Sequence, residues 1–222
     1  MEQNFKISGL ADSVSDGRRF FEIAAVLLTG LSKYIFVDLL PYKFWYILAA
    51  CLLWIGYAAS RFIIQPDVLE YWGFSRKTFR TTFLRLLPFA VACVITFLVV
   101  GLVRKTAIVN WHILPILLFY PLWGVIQQFM IMALIAGNLR DLDRIRLPKI
   151  LIIVISACVF SIVHYPSLYL IAGTFILALL YAVVYLKSRN LWALGIYHGW
   201  LGCFYYFFIL HRDPWLEVVR TM

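Results

Sequence analysis

Phe119–Leu139 reads FYPLWGVIQQFMIMALIAGNL, and its composition decides what kind of molecule this is. The stretch suits hydrocarbon except for two adjacent amides, Gln127 and Gln128, near its middle. An amide without a partner in an apolar medium costs several kcal/mol, so two in succession in a membrane-crossing helix require polar groups from elsewhere in the chain. The sequence on either side is of the same character. Hydrophobic residues make up 64% of the 222 and charged residues 14%, too little charge for the surface of a water-soluble domain. The expected fold class is all-α, a polytopic transmembrane helix bundle of about seven spans, each using roughly 20 residues.

Apolar segments at 18–40, 44–64, 83–103, 119–139, 150–165, 168–186 and 191–210 supply those spans. The bundle is thus expected over 18–210, with a polar N-terminal segment at 1–17 and a polar tail at 211–222. The N-terminal segment lacks the apolar core of a cleavable signal peptide. Between the second and third spans, QPDVLEYWGFSRKTFR (65–80) mixes aromatic and basic residues, as in a segment lying on the membrane surface. Cys51, Cys93, Cys158 and Cys203 fall inside apolar segments without CxxC spacing, which suits buried thiols acting as small hydrophobes. The formal charge of +9 points to loop topology and anionic lipid, so membrane lipids are expected partners and nucleic acid is not. An N-terminus in the cytoplasm leaves Arg18, Arg19, Arg76, Lys77, Arg80, the Arg140–Lys149 loop, Lys187 and Arg189 inside. Only Lys43, Arg104, Lys105, Arg212 and Arg220 then fall outside, which favours that orientation in a cell (inner, cytoplasmic) membrane.

Candidate partners for the amides come from three places. Trp123 and Gln127 lie four apart on one helix face, with Gln128 about 100° away. FSIVH sets Phe160 and His164 four apart near the end of a short span. LGIYHGWLGCF carries His198 beside Gly195 and Gly199, a small-xxx-small pair that Gly202 extends and that lets a neighbouring backbone come close. Taken singly, each of these reads as packing. Counted at about 1.5 Å per residue through a core about 30 Å thick, Gln127 and His198 lie at similar depth, roughly 8 and 12 Å from the inner face. His164 comes out roughly 21 Å from it and joins them only if its short helix is sunk inward.

Taken together, the three segments resemble the CAAX-protease and bacteriocin-processing (CPBP, or Abi) family, over about 72–208. The YWGFSRKTF, IVHYP and RNLWAL wording supports the likeness. The family pattern is Glu-Glu with Arg four residues on, then FxxxH, then a histidine followed four later by Asn or Asp. Here Gln127 and Gln128 stand at the Glu-Glu positions and Met132 at the Arg, Phe160, His164 and His198 match, and Gly202 replaces the Asn or Asp. The resemblance implies an intramembrane endopeptidase without a cofactor, acting on a membrane-tethered peptide or protein. In it a glutamate activates water while histidine and asparagine support the oxyanion. The site residues it implies are Gln127, Gln128, His164 and His198, with Phe160, Trp123, Met132 and Gly202 in support.

An amide takes no proton from water at neutral pH, so the expected base is missing. Two readings follow. In one the chain is an endopeptidase in which histidine, with its ordinary pKa near 6.5, takes over as base and gives up its oxyanion role. In the other it is a non-catalytic relative that binds a membrane peptide, lipid or partner protein. Two histidines alone do not complete a catalytic zinc set, and no broken-helix pair or repeat suggests a transporter.

Overall fold

The computed structural model describes residues 14–220, which form nine helices and no strand. Helix α1 is Asp16–Lys33, continued in wider π winding through Tyr34–Leu39. Then come α2 (Lys43–Ile64), the single turn α3 (Val68–Trp72) and α4 (Phe79–Val103). Helix α5 runs unbroken over Ile113–Asp141, with π winding at Phe129–Gly137. It is followed by α6 (Lys149–Ile162), α7 (Leu168–Ser188), α8 (Leu191–Phe204, then π winding over Tyr205–Ile209) and α9 (Pro214–Val219).

Helix starts are set by short polar side chains. Ser15, Ser167, Asn190 and Asp213 each accept a backbone N–H from the first turn of α1, α7, α8 and α9, satisfying donors that have no partner within the helix. Five helices, α1, α2, α4, α5 and α7, are long and apolar enough to cross a membrane, and α6 is shorter. The chain is a multi-pass membrane protein with an all-α bundle. Half of the apolar window of α5 is buried, against 11% for α1 and 17% for α2 and α4, so α5 is the central helix and the others show wide apolar faces to lipid.

The structure changes several sequence expectations. The polar segment 1–17 lies, up to residue 13, outside the described residues, as do 221 and 222 at the end of the tail; the rest of the tail contains α9. The 65–80 segment does not lie on the surface along its whole length. Val68, Tyr71 and Trp72 are buried, and the Trp72 ring meets Phe129 at 4.9 Å, because the turn is clamped against α7 and α8. Gly73, at φ 101°, closes that clamp. A Cβ there would stand 2.7 Å from the Arg189 carbonyl oxygen, and the Gly73 carbonyl accepts the Leu191 N–H. Of the four free cysteines only Cys203 is buried, and Cys158 is exposed, on a helix face turned outward.

Candidate functional site

The pairing of α5 with α8 brings the site together. A Cβ on Gly124 would lie 2.4 Å from the Gly195 carbonyl oxygen, and one on Gly199 would lie 2.4 Å from the Pro121 nitrogen. The two backbones touch where the glycines allow it. This contact carries His198 to the level of Gln127. Phe160 of α6 joins them, its ring edge-on to His164 at 5.3 Å and to His198 at 5.4 Å.

Two cavities meet at this point. The first, about 260 Å³, has Trp123, Gln127, Met130 and Ile131 of α5 on one wall, with Phe160 and His164 beside them. Its opposite wall is the α1–α2 hairpin, including Thr29, Gly30, Lys33, Tyr34, Lys43 and Tyr46. The second, about 350 Å³, is bounded by Phe89, Cys93, Phe97, Leu170 and Leu177, and by Tyr120, Tyr205 and Tyr206. Gln127 and His164 line both cavities, and His198 and Gly202 line the second. The short α6 explains how His164 reaches Gln127: the helix stops at Ile162, and the histidine sits in the turn beyond it.

Of the sequence candidates, Gln127, His164, His198, Phe160, Trp123 and Gly202 therefore gather around the two cavities. Gln128 and Met132 do not line either one. Both are fully buried, one turn apart on a face of α5 that points into the bundle. Neither amide atom of Gln128 has a hydrogen-bond partner among the described residues.

The two histidines are presented differently. His164 Nδ1 lies 2.9 Å from the Phe160 carbonyl oxygen. A carbonyl only accepts, so Nδ1 holds the proton and Nε2 keeps its lone pair. His198 is buried, and its Nδ1 has no partner among the described residues. The site can thus accept a hydrogen bond at His164 Nε2, and donate and accept at Gln127. Among the described residues no carboxylate lines either cavity. Glu22 is buried elsewhere, taking the Asn138 amide at 2.7 Å and the Tyr57 hydroxyl. Among the described residues no group of three or more His, Cys, Asp or Glu side chains is placed to hold a metal.

Sequence reasoning missed Tyr120 and the hairpin wall. A Cβ on Gly202 would lie 3.0 Å from Tyr120 Cε1, so this ring occupies the space where an Asn or Asp side chain would project. Its position was available in the spacing, since Tyr120 precedes Gln127 by seven residues, two turns up the same face. No spacing rule joins Lys33, Tyr34 or Tyr46 to α5, because their contact depends on how the hairpin docks.

Residues 109–204 match a family model described as Rce1-like, type II CAAX prenyl endopeptidase Rce1-like. No curated protein and no solved structure matches the chain. The matched stretch holds Gln127, Gln128, His164 and His198 and leaves α1 to α4 outside.

Proposed function

We propose that this CAAX-protease-like membrane protein, whose residues 109–204 belong with the type II CAAX prenyl endopeptidase Rce1-like family, binds a lipid-bearing membrane peptide without hydrolysing it. The observation that carries the reading is the make-up of the walls around Gln127. Where the family resemblance calls for a carboxylate there is an amide, and among the described residues no acid lines the two cavities to replace it. Apolar walls suit a hydrocarbon chain. Gln127 and His164 Nε2, at the junction, suit a peptide group, since the amide takes a carbonyl and the lone pair takes an N–H. A histidine base at Nε2 is the catalytic alternative. It would use the lone pair that takes the peptide N–H and leave only His198 and Gln127 for the oxyanion.

The test uses the purified protein in lipid nanodiscs and a farnesylated cysteine peptide carrying a photoreactive group. The expected result is photolabelling of wild type, loss of labelling in Gln127→Ala and His164→Ala, and no cleavage. Wild-type cleavage that disappears in His164→Ala would overturn the binding-only reading in favour of an endopeptidase. Gln127→Glu, which returns a carboxylate to the junction while leaving the buried Gln128 and Met132 alone, is expected to create slow proteolysis.

A further inference from the structure

We infer that the α1–α2 hairpin is a side portal to the first cavity, hinged at its Asp141 end and latched at its Glu217 end. The two halves of the hairpin pack very differently. Val26 and Ala50 are buried, but no residue between them, 27–49, is buried. In the same molecule all nine residues of Phe129–Gly137 are buried. The outer half of the hairpin is separated from α5 and α6 by the first cavity and touches the body at few points.

One of those points is Gly30, where a Cβ would come within 2.9 Å of Val163 Cγ1. The remaining ties are polar and lie near the mouth. Lys33 Nζ donates to the Tyr165 carbonyl at 2.9 Å while paired to Asp38 at 2.6 Å. The Tyr34 hydroxyl donates to the Ile162 carbonyl. Lys43 Nζ pairs with Glu217 of α9 at 2.6 Å. Ties of this kind, partly exposed, are weak enough singly to break and re-form.

The hinge end is built otherwise. Glu22 of α1 holds Asn138 of α5 and is itself held by Tyr57 of α2. Trp54 packs on Phe129 at 6.3 Å, and Tyr57 on Trp72 at 6.0 Å. Opening at the mouth would leave these contacts in place. The outer surface of the mobile half is apolar, with Leu28, Ile35, Phe36, Leu39, Trp45 and Leu48 exposed and lining neither cavity, so the portal opens into lipid. It admits one hydrocarbon chain from the bilayer to Gln127 and His164. The entry role rests on the binding reading above; the motion does not.

Electron-spin distance measurements on the full chain in nanodiscs, with the four native cysteines replaced by alanine, test the motion without ligand. One label pair spans the mouth (Leu31→Cys with Leu168→Cys) and a second spans the hinge (Ser60→Cys with Lys187→Cys). Two populations are expected across the mouth and one across the hinge. Combining Lys33→Met with Tyr34→Phe should raise the longer mouth population by about thirtyfold, the ratio that two net hydrogen bonds carry together, and leave the hinge distance unchanged. A single mouth distance that the latch variant does not alter overturns the portal, and so does broadening at both pairs, which would mean general loosening. The entry role is tested by Gly30→Cys with Val163→Cys, oxidised to a disulfide. Photolabelling by the farnesylated peptide should be lost on oxidation and regained on reduction. Labelling that persists in the oxidised form rules out this entry route, whereas absence of labelling in every form counts against the binding reading and leaves the distance result standing.

Discussion

The Asp141 end of the bundle and the junction of the two cavities both bury polar side chains, and they treat them in opposite ways. At the Asp141 end each buried charged side chain holds at least one hydrogen bond or ion pair, although Arg61 Nε and Arg189 Nε have no partner among the described residues. Arg189 donates to Asp141 at 2.6 Å and to the Tyr71 carbonyl at 2.8 Å, Arg19 holds Asp16 at 3.1 Å, and Glu22 has both Asn138 and Tyr57. Near the junction, Gln128 has no partner for either amide atom and His198 none for Nδ1 among the described residues. Paired groups fix one arrangement of helices, whereas unpaired ones cost stability unless something else arrives to satisfy them. The first set is scaffold. Of the second, His198 faces a cavity that a ligand can enter and Gln128 does not, so only His198 has an open route to a partner.

The largest effect is expected from breaking the scaffold. Asp141→Leu leaves the Arg189 guanidinium buried without its carboxylate, which costs about 3–5 kcal/mol when one partner of a buried pair is removed. Adding Arg189→Met should recover most of that loss, because a buried pair and an apolar pair of similar volume are nearly equivalent. Thermal unfolding in detergent measures both. A single variant as stable as wild type would erase the distinction between the two regions.

Next in size is Gly195→Ala. Its Cβ would fall 2.3 Å from Val125 Cγ2 and 2.5 Å from Val125 Cα, so the backbones of α5 and α8 must part. Overpacking of this kind costs about 1–3 kcal/mol, and it draws His198 away from Gln127. Labelling by the farnesylated peptide should therefore fall together with the unfolding temperature. Gly30→Ala meets only the end of the Val163 side chain, at 2.9 Å, and should be milder on both counts.

These two sites also show how much of the molecule could be read from its sequence. Apolar runs located the long helices because a membrane demands about 20 apolar residues whatever the packing. The glycine strip announced a close backbone approach, and FSIVH placed Phe160 over His164, because both are local consequences of helical repeat. The docking of separate elements was not legible. The 65–80 segment reads as one lying on the membrane surface, yet Gly73 clamps it on the Arg189 carbonyl and buries Trp72. Gln127 and Gln128, adjacent in sequence, proved to face a cavity and the bundle interior, and the π winding that begins at Phe129 leaves no mark in the hydrophobic pattern.

Gln128→Met sharpens the comparison through its sign. Replacing an unpaired buried amide by an apolar side chain of similar shape should stabilise the fold by about 1–2 kcal/mol, where the same kind of change at Asp141 destabilises it. Gln127→Met should leave the unfolding temperature nearly unchanged and abolish peptide labelling. A fall in stability for Gln128→Met would mean that the amide is satisfied in the membrane, and the two regions would then follow one rule.

The smallest effect lies at the Glu217 end, outside the spans, where a paired carboxylate meets water. Asp213 accepts His112 Nδ1 at 2.6 Å, Asn110 Nδ2 at 3.0 Å and the Trp215 N–H at 3.0 Å. Burial pushes its carboxyl up, but the bonds from His112, Asn110 and Leu216 outweigh it and hold the pKa below the ordinary 3.8. A carboxyl depressed in the folded state stabilises above its unfolded pKa and loses that contribution as pH falls through the folded one. Asp213→Ala should thus cost about 1 kcal/mol, the value of a helix cap, at neutral pH. The gap to wild type should stay flat on acidification until the pH nears 3.8 and then narrow. A gap that widened instead would mean that the protonated acid is the favoured form, and this end of the bundle would belong with the unpaired groups of the site and not with the scaffold.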